Sequence, residues 1–331
     1  MKPTVTLKKI AEMLHMSIAT VSRALKDHPD ISAETRRKVQ ELAGTLDYIP
    51  NAYAISLRTN NSKEFGVIMP SISNSFYQSF IGSLEEEARR YGYSLVILQS
   101  GDDPAIELEN IRKCKNARMS GIFLSVTSAT DDISEVLKLD KLNIPTVFFD
   151  KVPAYAACNK VCTADVRATQ LAAELLLSKN KKRVLAMFGN PSLSITQIRL
   201  NAFEEAMQNG KANKSYTIVY AHSTPDAAAR LSDAMGKKQP PDAVFCMSDE
   251  ILMGVMKTVQ TLKIEIPQKL GIVAISDGFI PQLYYPEITY AETSGFKLGK
   301  LAFSRMMTCI AGTPFVQTIV DDSVMVYGGS L

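Results

Sequence analysis

Between residues 63 and 331, runs of apolar residues repeatedly end in hydroxyl or carboxylate side chains. These are Ser71 and Ser73, Ser125 and Thr127, Asp150, Ser248 and Asp249, and Ser276 and Asp277. Arg199 adds a guanidinium, and Phe76, Tyr77 and Phe149 add flat apolar faces. Carboxylates and guanidinium groups hydrogen-bond to vicinal hydroxyls, while ring faces cover C–H surface. The mixture therefore suits a sugar-like small molecule. The same residue types also cap helices, a role open to Ser248, Asp249 and Asp165.

Covalent and metal chemistry find little to work with. Gly295-Phe296-Lys297-Leu298-Gly299-Lys300 has three residues between its glycines where a phosphate loop has four. Leu301 stands where Ser or Thr would meet Mg²⁺. No G-x-G-x-x-G follows a strand, and no G-x-S-x-G elbow occurs. Of the histidines His15, His28 and His222, only the last lies beyond the first 60 residues, so it would have to serve any triad or zinc site alone. Cys158 and Cys162 are four apart with no Cys or His beside them. Neither a cofactor, a metal nor catalysis is expected.

Those side chains need strands and helices to hold them. Buried-type strands are predicted at Phe65–Met69, Ser94–Leu98, Gly121–Val126, Thr146–Phe149, Val184–Phe188, Ile218–Tyr220, Ala243–Met247 and Gly271–Ile275. Amphipathic helices are predicted between them, for instance Phe76–Tyr91, Arg167–Leu177 and Glu250–Leu262. Near-continuous apolar strands with helical crossovers indicate parallel sheets covered on both faces. Eight units would also suit a TIM barrel. A break near Tyr155–Val161 and a strand-helix-strand tail over Glu287–Tyr327 favour two doubly wound lobes instead. In such sheets ligands sit at the carboxyl ends of the strands, where the polar residues above fall.

The first 60 residues read differently. Thr6, Ser17 and Ser32 each precede a short stretch of helical periodicity and can cap it. The brief His15-Met16 connection makes the first two stretches a helix-turn-helix. Ile18 and Ala19 then lie at the start of the second helix, Arg23 one turn on, and Thr20 and Ser22 within reach of phosphate. Charge agrees: residues 1–61 hold nine Lys/Arg against six Asp/Glu, and the remaining 270 residues hold 28 of each. The whole net charge of +3 therefore sits in the first fifth, the bias of a nucleic-acid-facing segment.

Residues 5–58 closely resemble the DNA-binding headpiece of the LacI/GalR family of bacterial transcription regulators. The likeness rests on Val5-Thr6-Leu7-Lys8-Lys9-Ile10-Ala11-Glu12, Ala19-Thr20-Val21-Ser22-Arg23-Ala24-Leu25 and Tyr48-Ile49-Pro50-Asn51-Ala52. Later landmarks extend it along the chain: Ser73-Asn74-Ser75-Phe76-Tyr77, Phe149-Asp150-Lys151, Arg199 with Phe203, Ser248-Asp249-Glu250 and Pro286-Glu287-Ile288-Thr289. The resemblance implies an all-α headpiece on a two-lobed core like the periplasmic sugar-binding proteins. It implies a headpiece at 1–50, a hinge helix and linker at 51–62, and an effector-binding and dimerisation core at 63–331. Lobe one would take about 63–161 and 293–319, lobe two about 162–291 and 320–331. Ile18, Ala19 and Arg23 would read bases, and Asn51, Ala54 and Leu57 would form a hinge whose leucine wedges into the minor groove. Thr6, Ser17, Thr20, Ser22 and Arg58 complete the DNA-facing set. Ser73, Phe76, Ser125, Asp150, Arg199, Ser248, Asp249, Ser276 and Asp277 form the expected effector set.

The chain departs from the family in places. Met119-Ser120-Gly121 replaces a frequent Val-Asp-Gly, and Ser276-Asp277-Gly278-Phe279 replaces Gly-Phe-Asp, which displaces the acidic position. The expected partners are double-stranded operator DNA, a carbohydrate effector and a second copy of the chain. No stretch approaches the ~18 apolar residues of a membrane helix, and the N-terminus offers no secretory run, so a bacterial cytoplasmic location is expected. The alternatives are a solute-binding receptor with a helical extension, or an α/β sugar-modifying enzyme. The basic first fifth disfavours the former, and the missing phosphate loop the latter.

Overall fold

The structure, a computed structural model, describes residues 5–48, 62–179, 181–209, 215–313 and 315–331. The chain divides into two compact units between Ser62 and Lys63. In the first unit three helices, Leu7–Met13, Ile18–Ala24 and Ala33–Thr45, are capped by Thr6, Ser17 and Ser32. His15 turns the chain with a left-handed φ of 52°. Helices this short are marginal alone. They persist because Ile10, Ala11, Val21, Ala24, Val39 and Ala43 bury against one another.

The second unit contains strands β1 (Glu64–Met69), β2 (Ser94–Gln99), β3 (Gly121–Leu124), β4 (Thr146–Phe149), β5 (Asn159–Thr163), β6 (Arg183–Phe188), β7 (Ser215–Tyr220), β8 (Ala243–Cys246), β9 (Gly271–Ser276), β10 (Thr289–Glu292), β11 (Thr318–Asp321) and β12 (Met325–Val326). They form two six-stranded sheets, ordered β11-β5-β4-β3-β1-β2 and β12-β10-β9-β8-β6-β7. Every pairing is parallel except β10 with β12. Each sheet with its helices has its own apolar core, so the unit has two lobes.

Two readings of the sequence are corrected. The break expected near Tyr155–Val161 runs into β5 from Asn159, and this strand belongs to the first sheet and carries the chain to Thr163 before it crosses. Likewise β11 stays in the first sheet as far as Asp321, so the last crossing follows that residue rather than residue 319. Polar residues interrupt both strands, Asn159 and Lys160 in one and Thr318 and Asp321 in the other. This breaks the apolar run by which a buried strand is recognised.

The glycines of the failed phosphate loop have a structural reason. They lie on the helix Gly295–Ile310, which packs on the helix Ser75–Arg90. A Cβ on Gly295 would stand 2.3 Å from the Phe76 carbonyl oxygen, and one on Gly299 2.6 Å from that of Phe80. Four residues apart, they clear one helix face for close backbone approach. Met306 and Phe303 on the same helix are buried in the first lobe.

Candidate functional site

The carboxyl ends of the strands in both lobes open onto one cavity of about 820 Å³. That volume suits a small molecule rather than a macromolecule. From the first lobe come Ser73, Phe76, Tyr77, Asp150 and Lys151; from the second come Asn190, Thr196, Arg199, Asp249 and Asp277.

Tyr77 lies in the helix Ser75–Arg90, whose start is fixed by Asn74: its Oδ1 accepts from the Phe76 amide at 2.9 Å. The buried Tyr77 hydroxyl donates to Asp150 Oδ2 at 2.6 Å and lies 3.1 Å from Ser125 Oγ. Asp150 directly follows β4 with a left-handed φ of 56°, a conformation uncommon for a residue with a side chain. Burial pushes its carboxyl above the ordinary range, against the pull of the Tyr77 hydrogen bond. Burial and the adjoining Asp150 charge push the Tyr77 phenol well above its usual value. The phenol is therefore a fixed donor and holds the carboxylate in place.

Arg199 projects from the helix Ser194–Asn209 and is only 6% exposed. Its Nε and Nη2 donate to Asp165 Oδ1 at 2.9 and 2.5 Å, and its Nη1 to the Met247 carbonyl at 2.5 Å. Asp165 opens the helix Asp165–Ser178, and it also accepts from Thr163 Oγ1 at 3.2 Å. Asp249 accepts from Ser276 Oγ at 2.5 Å and from the Asp277 amide at 3.1 Å. Burial raises its pKa. Asp277 accepts from the Gly295 amide at 2.6 Å, and burial pushes its carboxyl up to about 6.

Of the expected effector set, Ser73, Phe76, Asp150, Arg199, Ser248, Asp249, Ser276 and Asp277 line the cavity. Ser125 does not: it is fully buried behind Tyr77 and positions that hydroxyl. Thr127 also lies outside the cavity, and its amide donates to Glu107 Oε2 at 2.7 Å. Phe149 is a core residue, its ring stacked on Phe80 with centroids 3.9 Å apart. Ser276 reaches the cavity with its proton donated to Asp249 and its oxygen accepting from the Gly278 amide at 2.9 Å.

Sequence reasoning missed Asn190 and Thr196, and it read Asp165 only as a helix cap, whereas Ala164 holds that position and Asp165 anchors Arg199. Asn190 follows β6 by the same strand-end rule, and Thr196 lies one helical turn before Arg199. Nothing local pointed to the pairing of Asp165 with Arg199, because the two are 34 residues apart on different helices.

In the first unit, the face at the start of the second helix is open. Ser17, Ile18, Ala19 and Arg23 are exposed, with Ile18 at 51%. Ser17 Oγ accepts from the Thr20 amide at 3.0 Å, and the two hydroxyls lie 2.8 Å apart. Thr6, also exposed, accepts from the Lys9 amide at 3.3 Å. Ser22 is half-buried on the same helix. Asn51, Ala54, Leu57 and Arg58, and with them the expected hinge helix, lie outside the described residues.

A capped helix-turn-helix joined to a two-lobed ligand-binding core defines an effector-controlled, DNA-binding transcriptional regulator. A family model for bacterial regulatory proteins of the lacI family matches residues 6–51. One for periplasmic binding proteins and the sugar binding domain of the LacI family matches residues 62–322. The chain belongs to the LacI family. It is 26% identical over 306 residues to the HTH-type transcriptional regulator RegA of Clostridium saccharobutylicum, covering 91% of each chain. It is 25% identical over 305 residues to the HTH-type transcriptional repressor PurR of Vibrio vulnificus, again covering 91% of each. The fold matches that of the lac repressor in its dimer bound to operator and the anti-inducer ONPF. The TM-score there is 0.85 at 20% identity, over 98% of each chain.

Proposed function

We propose that this protein represses transcription as a homodimer on a pseudo-palindromic operator, and that a carbohydrate effector in the cleft changes its grip. The observation that carries the DNA half is the exposed start of the helix Ile18–Ala24, held by the Ser17 cap over a buried headpiece core. Ile18 and Ala19 offer apolar contact to a thymine methyl, and Arg23 a bidentate fork to guanine O6 and N7. Thr6, Ser17, Thr20 and Ser22 meet the phosphates. Asn51, Ala54, Leu57 and Arg58 form the hinge in this reading, with Leu57 as the wedge between base steps.

One headpiece makes few contacts, so two-fold symmetry doubles the site. Supporting the effector half, the cavity combines half-buried carboxylates, an anchored guanidinium and the ring of Phe76. Among the described residues no helix is long and apolar enough to cross a membrane. The protein acts in the cytoplasm, where its operator lies.

The test is selection of operator DNA from random sequence by the full-length protein, with sedimentation of the free and bound forms. Two inverted half-sites occupied by a dimer are expected; a monomer on a single half-site overturns the reading. A thermal-shift screen then finds the effector, since a ligand at ~100 times its Kd adds about 2.7 kcal/mol.

A further inference from the structure

We propose that the effector carries a positive charge: the cleft takes an amine-bearing sugar or polyol and excludes phosphorylated and other anionic sugars. This rests on reading the cleft as the effector site and adds the charge of its ligand. Four carboxylates line the cavity, Asp150, Asp249, Glu250 and Asp277, against two cations, Lys151 and Arg199. Each cation is already held by a further carboxylate. Arg199 pairs with Asp165 at 2.5 Å, and Lys151 with Asp102 at 3.4 Å. Among the described residues, none of the four lining carboxylates has a cation within ion-pairing distance.

The remaining basic residue on the wall, His222, is exposed. Burial raises the carboxyls of Asp150, Asp249 and Asp277, so a cationic group that draws them back to the ionised form is favoured there, whereas a phosphate is repelled. The carboxylates do not converge as metal ligands, since no cluster of three or more such groups occurs among the described residues. The charge they seek is therefore spread along a molecule.

Two buried polar residues mark the cavity as a built site. Thr196 is fully buried on its wall, and among the described residues its hydroxyl has only the Met247 thioether, 3.9 Å away, as a partner. Arg199 retains two of its five N–H groups for a ligand oxygen. A hydroxyl anchored by these groups leaves an amine to meet Asp150, whose Oδ2 holds the Tyr77 hydroxyl.

The experiment is calorimetric titration of the full-length protein with glucose, galactose and mannose in three forms: the parent sugar, the 2-amino-2-deoxy sugar and the 6-phosphate. At least one amine is expected to bind about tenfold more tightly than its parent, the scale of a charge-assisted bond replacing a neutral one. That advantage should shrink between about 50 and about 300 mM salt. It should also diminish in Asp150→Asn and in Glu250→Gln, the latter an exposed residue whose change leaves the fold intact. Any 6-phosphate that binds as tightly as its parent overturns the proposal. So does a series in which no amine binds, or in which the amines bind no better than their parents. Operator binding is measured separately: a neutral or phosphorylated sugar that releases operator sinks the charge assignment alone, whereas failure to bind any operator sinks the regulator reading.

Discussion

Arg199 uses three of its N–H groups inside its own lobe, two on Asp165 and one on the Met247 carbonyl. The guanidinium is thus held before any ligand arrives, which lowers the cost of ordering it on binding. Arg199→Ala would strand Asp165, whose side chain is only 14% exposed, and an orphaned partner of a buried pair costs about 3–5 kcal/mol. Arg199→Lys is the cleaner test, because it keeps a cation there and removes the planar fork. It should leave operator affinity without effector unchanged in gel-shift titration while weakening the effector's influence on operator binding about tenfold. Arg23 gives the converse case. It is exposed, and its Nε reaches only the Ala19 carbonyl at 3.5 Å, so Arg23→Ala should not affect folding. It should cost about 1–3 kcal/mol on the operator and relax preference at one base pair per half-site. An unchanged selected motif would show that another residue reads that base. Residue types at strand ends were legible, since a polar side chain after an apolar run stands out. Which of them turn inward was not: Ser125 and Ser71 look alike in sequence, yet one is sealed behind Tyr77 and the other lines the cavity.

Among the elements, the pair of helices Ser75–Arg90 and Gly295–Ile310 matters most to the cleft, since the first carries Tyr77 and the second takes Asp277 on its first amide. Their spacing depends on Gly295 and Gly299. A Cβ on Gly299 would stand 2.0 Å from Ser83 Oγ, a fully buried side chain, as well as against the Phe80 carbonyl. Alanine is the better helix former by about 1 kcal/mol, but overpacking typically costs about 1–3 kcal/mol. The backbone contact cannot be relieved by turning a side chain, so the clash should prevail. Gly299→Ala is expected to lower the melting temperature measured by calorimetry, whereas Gly44→Ala, with open space around its Cβ position, should not. The sequence displayed these glycines as a near-miss phosphate loop, because spacing alone does not distinguish a cradle from a helix contact. The strands it displayed well were those buried on both faces, such as β8 and β9. It concealed β5, whose polar residues hide a parallel strand next to the sheet edge, and showed β11 only as the closing strand of a strand-helix-strand tail.

At the scale of the whole core, the chain passes between lobes three times, and effector control requires a ligand that prefers one arrangement of those lobes to another. Near the second passage Lys297, at the start of a first-lobe helix, pairs with Glu292 at the end of β10. Beside it, Asp277, just after β9, accepts from the amide of Gly295 in the first lobe. Burial raises this carboxyl to about 6 from its ordinary 3.8, while Asp249 and Glu292 add repulsion. The sign follows from linkage. Between about pH 4 and about pH 6 the folded protein holds the Asp277 proton and the unfolded chain does not, so stability falls as pH rises through that window. Above about pH 6 both states are ionised and the loss is constant, on the order of 1–3 kcal/mol. Asp277→Asn keeps an oxygen for the Gly295 amide and removes the ionisation. The variant should melt above the wild type at pH 7.5, by a margin that grows from about pH 4 to about pH 6 and then levels off. A margin independent of pH, measured by calorimetry without effector, would mean that Asp277 is hydrated in solution and that the lobes stand farther apart at this passage.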